Sequence, residues 1–127
     1  MDSSDSHGAG NYAVDIYTTV GSIQGNFSNG TNQTLLTFSG VYADGNPHLI
    51  SVVRVADTLY LYVDGALEDS GAVTGSINPS QSLNIGARNT GAEPFNGKIL
   101  GAYIIDPSTF SYDFATYQTT IKNKFGI

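Results

Sequence analysis

The sequence predicts an all-β chain of antiparallel strands closed by one short helix, and three observations predict it. The first is a pair of runs, His48 to Arg54 and Leu59 to Gly65, rich in Val, Ile, Leu and Tyr and free of Pro and Gly until their ends. Four residues built around Ala56 and Asp57 separate them, which is the pattern of a β-hairpin with a short polar loop. The second is the strict alternation of the later run. Leu59, Leu61 and Val63 fall on one face and Tyr60, Tyr62 and Asp64 on the other, so one side packs a core and the other stays half exposed. The third is composition: fifteen Gly with abundant Ser, Thr and Asn belong to strands and turns, and 40% hydrophobic against 13% charged residues belong to a folded chain.

Taken in order, residues 1–10 read as a flexible polar arm and residues 11–127 as a single domain. Asn11 to Val20 reads as the first strand, closed by Gly21, and Ile23 to Phe27 as a short second one. Ser28 to Gln33 is a loop of Asn, Gly and Ser. Thr34 to Phe38 is a further strand, and Val41-Tyr42 begins one more before Asp44-Gly-Asn-Pro47 turns the chain into the hairpin. Asp64-Gly65 supplies the positive φ values of a tight turn, after which Ala66 to Ser70 pairs back. A strand at Leu83 to Gly86 and another from Phe95 to Ile105 follow. In the latter, Ile99, Ala102 and Ile104 break the period of two, which places a bulge near Gly101. From Ser111 to Lys124 the apolar residues Phe114, Tyr117 and Ile121 recur at spacings of three and four. This predicts a helix with Ser111 as N-cap, Lys122 and Lys124 at its negative end and Gly126 just beyond it.

The blocks His48-Leu-Ile-Ser-Val-Val-Arg54, Leu59-Tyr-Leu-Tyr-Val-Asp-Gly-Ala-Leu67, Leu83-Asn-Ile-Gly86 and Pro94-Phe-Asn-Gly-Lys-Ile99 occur in this order. Together they resemble the laminin-G-like members of the concanavalin A-like jelly rolls, over about half the chain. The ending Tyr117-Gln-Thr-Thr-Ile-Lys-Asn-Lys-Phe-Gly-Ile127 resembles the tail that follows many bacterial and phage domains of this kind. The resemblance implies a two-sheet antiparallel jelly-roll sandwich with a short C-terminal helix. Two departures are plain: Pro47 stands where the family usually has Trp, and Leu100-Gly101 stand where it has an Asp-Glu pair.

Charge and motif narrow the function. Eleven acids against five bases give a formal charge of −6, which repels phosphate backbones, and the bases form no cluster in sequence, so nucleic acid is not an expected partner. The absence of Cys removes disulfides and thiolate chemistry. The start Met1-Asp-Ser-Ser-Asp-Ser-His7 has acids where a signal peptide has bases, and nothing approaches the roughly 18–20 apolar residues of a membrane span, so neither secretory export nor a membrane is expected. The hydrolases that share the implied fold carry paired acids as ExDxxE. Here the two glutamates, Glu68 and Glu93, lie outside any such pattern, so no catalytic residue is assigned and the chain reads as non-enzymatic. His48 reads as a structural hydrogen-bonding group, and the Asn-x-Ser/Thr triplets at Asn26, Asn29 and Asn32 as chance products of a polar loop.

No cofactor is assigned. The resemblance brings in calcium as the one candidate cation, with loop oxygens from Asp44, Asp57 and Glu93, and from Asn46 and Asn89 beside them. Tyr60, Tyr62, Asn46, Asn89 and Asn96 are the candidate contacts for a glycan or a protein partner. Two functions stand side by side: a structural protein of a bacteriophage virion, decorating the capsid or part of a fibre, and a carbohydrate-binding module at a cell surface or outside the cell. The first implies a capsid or other virion protein as partner and a homo-oligomer, because exposed sheet edges and eight Tyr with six Phe suit burial against another chain.

Overall fold

The structure, a computed structural model, describes residues 14–19, 22–29, 31–76, 85–86, 94–106 and 113–127. Among these residues six strands appear in order: β1 (Val14–Thr19), β2 (Ser22–Ser28), β3 (Gln33–Phe38), β4 (Ile50–Val55), β5 (Thr58–Val63) and β6 (Ala66–Ala72), followed by helix α1 (Phe114–Phe125). They form two three-stranded antiparallel sheets, β1-β2-β3 and β4-β5-β6, stacked face to face. The expected two-sheet β architecture with a C-terminal helix is therefore present. Among the described residues no helix is long and apolar enough to cross a membrane.

Period-two patterning builds the core. Leu59 and Leu61 are fully buried and Val63 nearly so, while the intervening Tyr60 and Tyr62 are half-buried. From the opposite sheet come Phe27 and Leu36, and Val73 closes the cluster, with Phe38, Ile50 and Val52 packed around it. Gly25 sits between Ile23 and Phe27 on β2 for a steric reason. A Cβ there would lie 2.6 Å from Val52 Cγ2, so the missing side chain is what lets Val52 of the other sheet pack against β2. Arg54 lies over the Phe27 ring at 5.0 Å while its guanidinium donates to the carbonyls of Ala56 and Gly75, so a charged side chain covers one side of the core.

Two side-chain bonds stitch β3 to β6 across the sandwich. Thr34 Oγ1 donates to Ala72 O at 2.6 Å, and the Thr37 N–H donates to Asp69 Oδ2 at 2.9 Å. These occupy groups that an edge strand would otherwise present to another chain.

Several expected elements differ. Residues 94–106 form no strand. Their apolar side chains come as neighbouring pairs, Ile99-Leu100 and Ile104-Ile105, which point to opposite faces of any extended chain, so neither face is consistently apolar. Pro94, Gly97 and Gly101 weaken the segment further. The bulge expected near Gly101 is absent with that strand. Instead a bulge lies between β5 and β6, where Leu61 faces Asp69 and Tyr62 faces Leu67, leaving Glu68 as the extra residue. Val41-Tyr42 is not a strand either; there the Tyr42 hydroxyl donates to Ser22 O at 2.8 Å. Ile85 and Gly86 form a bend, whereas Leu83 and Asn84 of the expected strand, and the arm at 1–10, lie outside the described residues.

Helix α1 begins at Phe114, with Asp113 at its N-cap; the expected cap Ser111 lies outside the described residues. Gly126 ends it in the left-handed conformation at φ 70°, with its N–H on Lys122 O. Ile121 and Gln118 are its buried residues. It docks on the outer side of the second sheet through Phe114, whose ring lies 5.0 Å from that of Tyr62, and through Lys122, whose Nζ donates to Asp64 O at 2.7 Å.

Candidate interaction site

The residues with the densest polar chemistry meet at the turn between β5 and β6. Asp64 takes a left-handed φ of 52°, a conformation that Asp tolerates, and Gly65 follows at 90°. This turn points the carboxylate back toward the start of β4. Continuing the β4–β5 register beyond Ile50↔Val63 places Leu49 opposite Asp64: the Asp64 N–H donates to Leu49 O as in a ladder, while the Leu49 N–H donates to the Asp64 side chain at Oδ1 instead of to its carbonyl, each at 2.8 Å.

His48 lies one residue further on, and each of its ring nitrogens meets a carboxylate. Nδ1 is 2.8 Å from Asp64 Oδ2 and Nε2 is 3.1 Å from Asp44 Oδ1. Carboxylates only accept, so both contacts are hydrogen bonds when both nitrogens carry protons, and the arrangement favours the imidazolium form of the ring. The bond to Asp64 is the main reason its pKa is raised above the ordinary 6.5; burial opposes this and Asp44 adds to it. On the far side, Asp44 is held down to about 2, first by the Asn46 backbone N–H, then by the Asn46 side-chain amide, then by His48.

This geometry decides what the cluster can do. The two carboxylates sit at opposite ends of the ring with the imidazole between them, so they do not converge on a common point. Among the described residues no group of three His, Asp or Glu side chains is disposed to hold a metal. Asp57, another calcium candidate, lies in the β4–β5 turn at the other end of β5, about 20 Å of extended chain away. It is 90% exposed there and stands 4.0 Å from Arg54 Nη2. Asn46 bonds Asp44 through both its backbone and its side chain. Glu93 and Asn89 lie outside the described residues.

The tyrosine face is also changed by its neighbours. Tyr62 is flanked by Phe114 at 5.0 Å and Tyr60 at 6.3 Å, so the helix occupies part of the surface that a sugar ring would stack on. Glu68 is exposed on β6 as the bulged residue. Asn26 is fully buried and accepts from Gln33 Nε2, so its glycosylation triplet is inaccessible in the folded chain.

Another surface was not singled out from sequence as an exposed one. Phe95, Ile99, Leu100, Tyr103, Ile104 and Ile105 are between 36% and 78% exposed along residues 94–106, and Asn96 lies exposed among them. The segment leans on α1 through Tyr103, whose ring meets Tyr117 edge-on at 6.3 Å with Lys124 Nζ over it at 6.0 Å. The broken alternation of Ile99-Leu100 and Ile104-Ile105 was its sequence signal, and it marked an unburied stretch rather than a bulged strand.

A family model described as the concanavalin A-like lectin/glucanases superfamily, of laminin G type, matches residues 2–107. No curated protein and no solved structure matches the chain. The matched span takes in both sheets and the segment 94–106, while α1 lies beyond it. The chain belongs to the laminin-G-like family of the concanavalin A-like lectin/glucanases superfamily.

Proposed function

We propose that the chain is a non-catalytic interaction domain that seats residues 95–105 and the adjoining face of α1 on a larger protein assembly, as a decoration or fibre component of a bacteriophage virion. The observation that carries this is the row of six exposed apolar side chains from Phe95 to Ile105, on backbone that joins no strand. Exposed large apolar side chains at this density within one eleven-residue segment support an interaction role. Lys98 and Lys124 lie beside it in a chain of net charge −6, so the surface suits a partner with an acidic rim around an apolar centre. Support for placement in a virion comes from the lack of Cys and of a paired-acid pattern in the sequence, beside the resemblance of the Tyr117 to Ile127 ending to that of bacterial and phage domains of this kind.

Ile99→Asp with Ile104→Asp tests the reading. Both positions are exposed, so folding stability should stay within about 0.5 kcal/mol. Co-sedimentation with virions, or with purified capsid or fibre protein, should be lost. Attachment that survives both substitutions overturns the reading, and binding on a glycan array that also survives them transfers the function to carbohydrate recognition.

A further inference from the structure

The chain contains two Asn-Gly dipeptides, Asn29-Gly30 and Asn96-Gly97, and the structure treats the two asparagines in opposite ways. The Asn29 side chain is fixed at both ends. Its Oδ1 accepts from the Thr31 and Asn32 N–H groups at 3.0 and 2.8 Å, and its Nδ2 donates to Thr74 O at 3.0 Å. Asn96 and Gly97 are exposed, belong to no strand or helix, and make no hydrogen bond with another described residue. We infer that Asn96 is a self-modification site, converting spontaneously to aspartate and isoaspartate while Asn29 is protected.

The chemistry needs only water. The backbone nitrogen of Gly97 attacks Cγ of Asn96, and a new C–N bond closes a five-membered succinimide. The bond from Cγ to Nδ2 breaks, and the amide group leaves as ammonia, carrying the proton that Gly97 N gives up. Water then opens the ring at either carbonyl: attack at Cγ breaks the new Cγ–N bond and gives aspartate, and attack at the main-chain carbonyl carbon breaks its bond to Gly97 N and gives isoaspartate. Glycine is the residue that leaves this approach least hindered, and backbone outside any ladder is free to adopt the geometry. At Asn29 the carbonyl and the leaving amide are both held in place, and rotating the side chain toward the next nitrogen would break three hydrogen bonds.

The product alters the surface around it. Either product places a carboxylate two residues before Lys98, between Phe95 and Ile99, and isoaspartate also lengthens the main chain there by one carbon. On the docking function proposed above, which this consequence rests on, a free chain loses attachment with age and a docked chain is shielded.

Purified folded protein incubated at mildly alkaline pH and mapped by peptide mass spectrometry tests the inference. The peptide containing Asn96 should convert to a mixture rich in isoaspartate while the peptide containing Asn29 stays intact. Asn96→Gln and Gly97→Ala should each stop the conversion. An added Cβ at 97 would lie 2.7 Å from the Phe95 ring, which is exposed and can turn aside, so folding is not at risk. An unchanged Asn96 peptide, or equal conversion of both asparagines, overturns the inference. Aged and fresh protein are then compared for attachment. Conversion with undiminished attachment leaves the modification standing and counts against the docking surface.

Discussion

Nδ1 of His48 lies 2.8 Å from Oδ2 of Asp64, and this one contact ties the entry to β4 to the turn that leaves β5. The same Asp64 fixes the Leu49 N–H with its other oxygen and holds Lys122 of α1 with its carbonyl. One turn residue therefore joins three parts of the fold: the loop carrying Asp44, the central hairpin and the C-terminal helix.

Asp64→Asn isolates the charge in this arrangement. Asparagine keeps the left-handed turn conformation and an acceptor for Leu49, but it presents an amide to His48 where a second acceptor is needed. Hydrogen bonds to charged groups contribute about 1.5–3 kcal/mol, so denaturant unfolding should show a loss of roughly that size. A loss below about 0.5 kcal/mol would mean that the ion pair contributes little beyond geometry.

The same cluster sets a pH dependence. The folded His48 holds its proton above the ordinary 6.5, so its contribution is complete below that pH and disappears as pH rises through the raised value. The groups facing it are Asp44 and Asp64, with the Lys122 ammonium behind Asp64 on its carbonyl. Asp44 acts in the opposite direction: its contribution is present above the ordinary 3.8 and fades as pH falls toward about 2. Thermal midpoints should therefore decline as pH rises above 6.5 and through the raised value, and His48→Gln should remove that decline while leaving the acid limb largely in place. A decline that persists in His48→Gln would assign it to another group.

Burial separates the two faces of β5. Leu61 is fully buried between the sheets, so Leu61→Ala should cost about 2–5 kcal/mol. Tyr60 is half-buried on the outer face, so Tyr60→Ala should cost less. Tyr62, packed on Phe114, is the outer-face residue whose truncation should also loosen the helix, read as a drop in helical circular dichroism. Equal losses at Leu61 and Tyr60 would show that the two faces are not distinct.

What the sequence made legible follows from which interactions are local. The alternation of Leu59 to Val63 identified a half-buried strand because its period matches the pleat, and Asp64-Gly65 identified its turn because few residues take positive φ. The spacing of Phe114, Tyr117 and Ile121 located the helix for the same kind of reason. His48 was legible as a hydrogen-bonding residue, but its partners were not. Asp64 is sixteen residues away and reaches it only through the hairpin register, and Asp44 only through the shape of a loop. Residues 95–105 were misread because apolar content alone suggests a strand, whereas burial demands one consistent face. Asp44 and Asp57, grouped as calcium candidates by residue type, lie at opposite ends of one strand, a separation that only the β4–β5 pairing reveals.

Gly25 carries the last prediction, because its missing side chain is what lets Val52 of the other sheet pack against β2. Its missing Cβ leaves room for Val52 Cγ2, 2.6 Å from where that carbon would be, with Leu61 Cδ1 at 3.5 Å. Gly25→Ala gains strand propensity on β2 but forces Val52 to move within a packed core, and overpacking of this kind costs about 1–3 kcal/mol. Val52 is only partly buried, so it can be cut back at moderate cost. Gly25→Ala combined with Val52→Ala should then recover part of the loss of Gly25→Ala, giving a coupling energy of roughly 0.5–3 kcal/mol in a double-mutant cycle. Strictly additive effects would mean that the sheets can separate at this point without strain, and that the close approach is a consequence of the glycine rather than a requirement met by it.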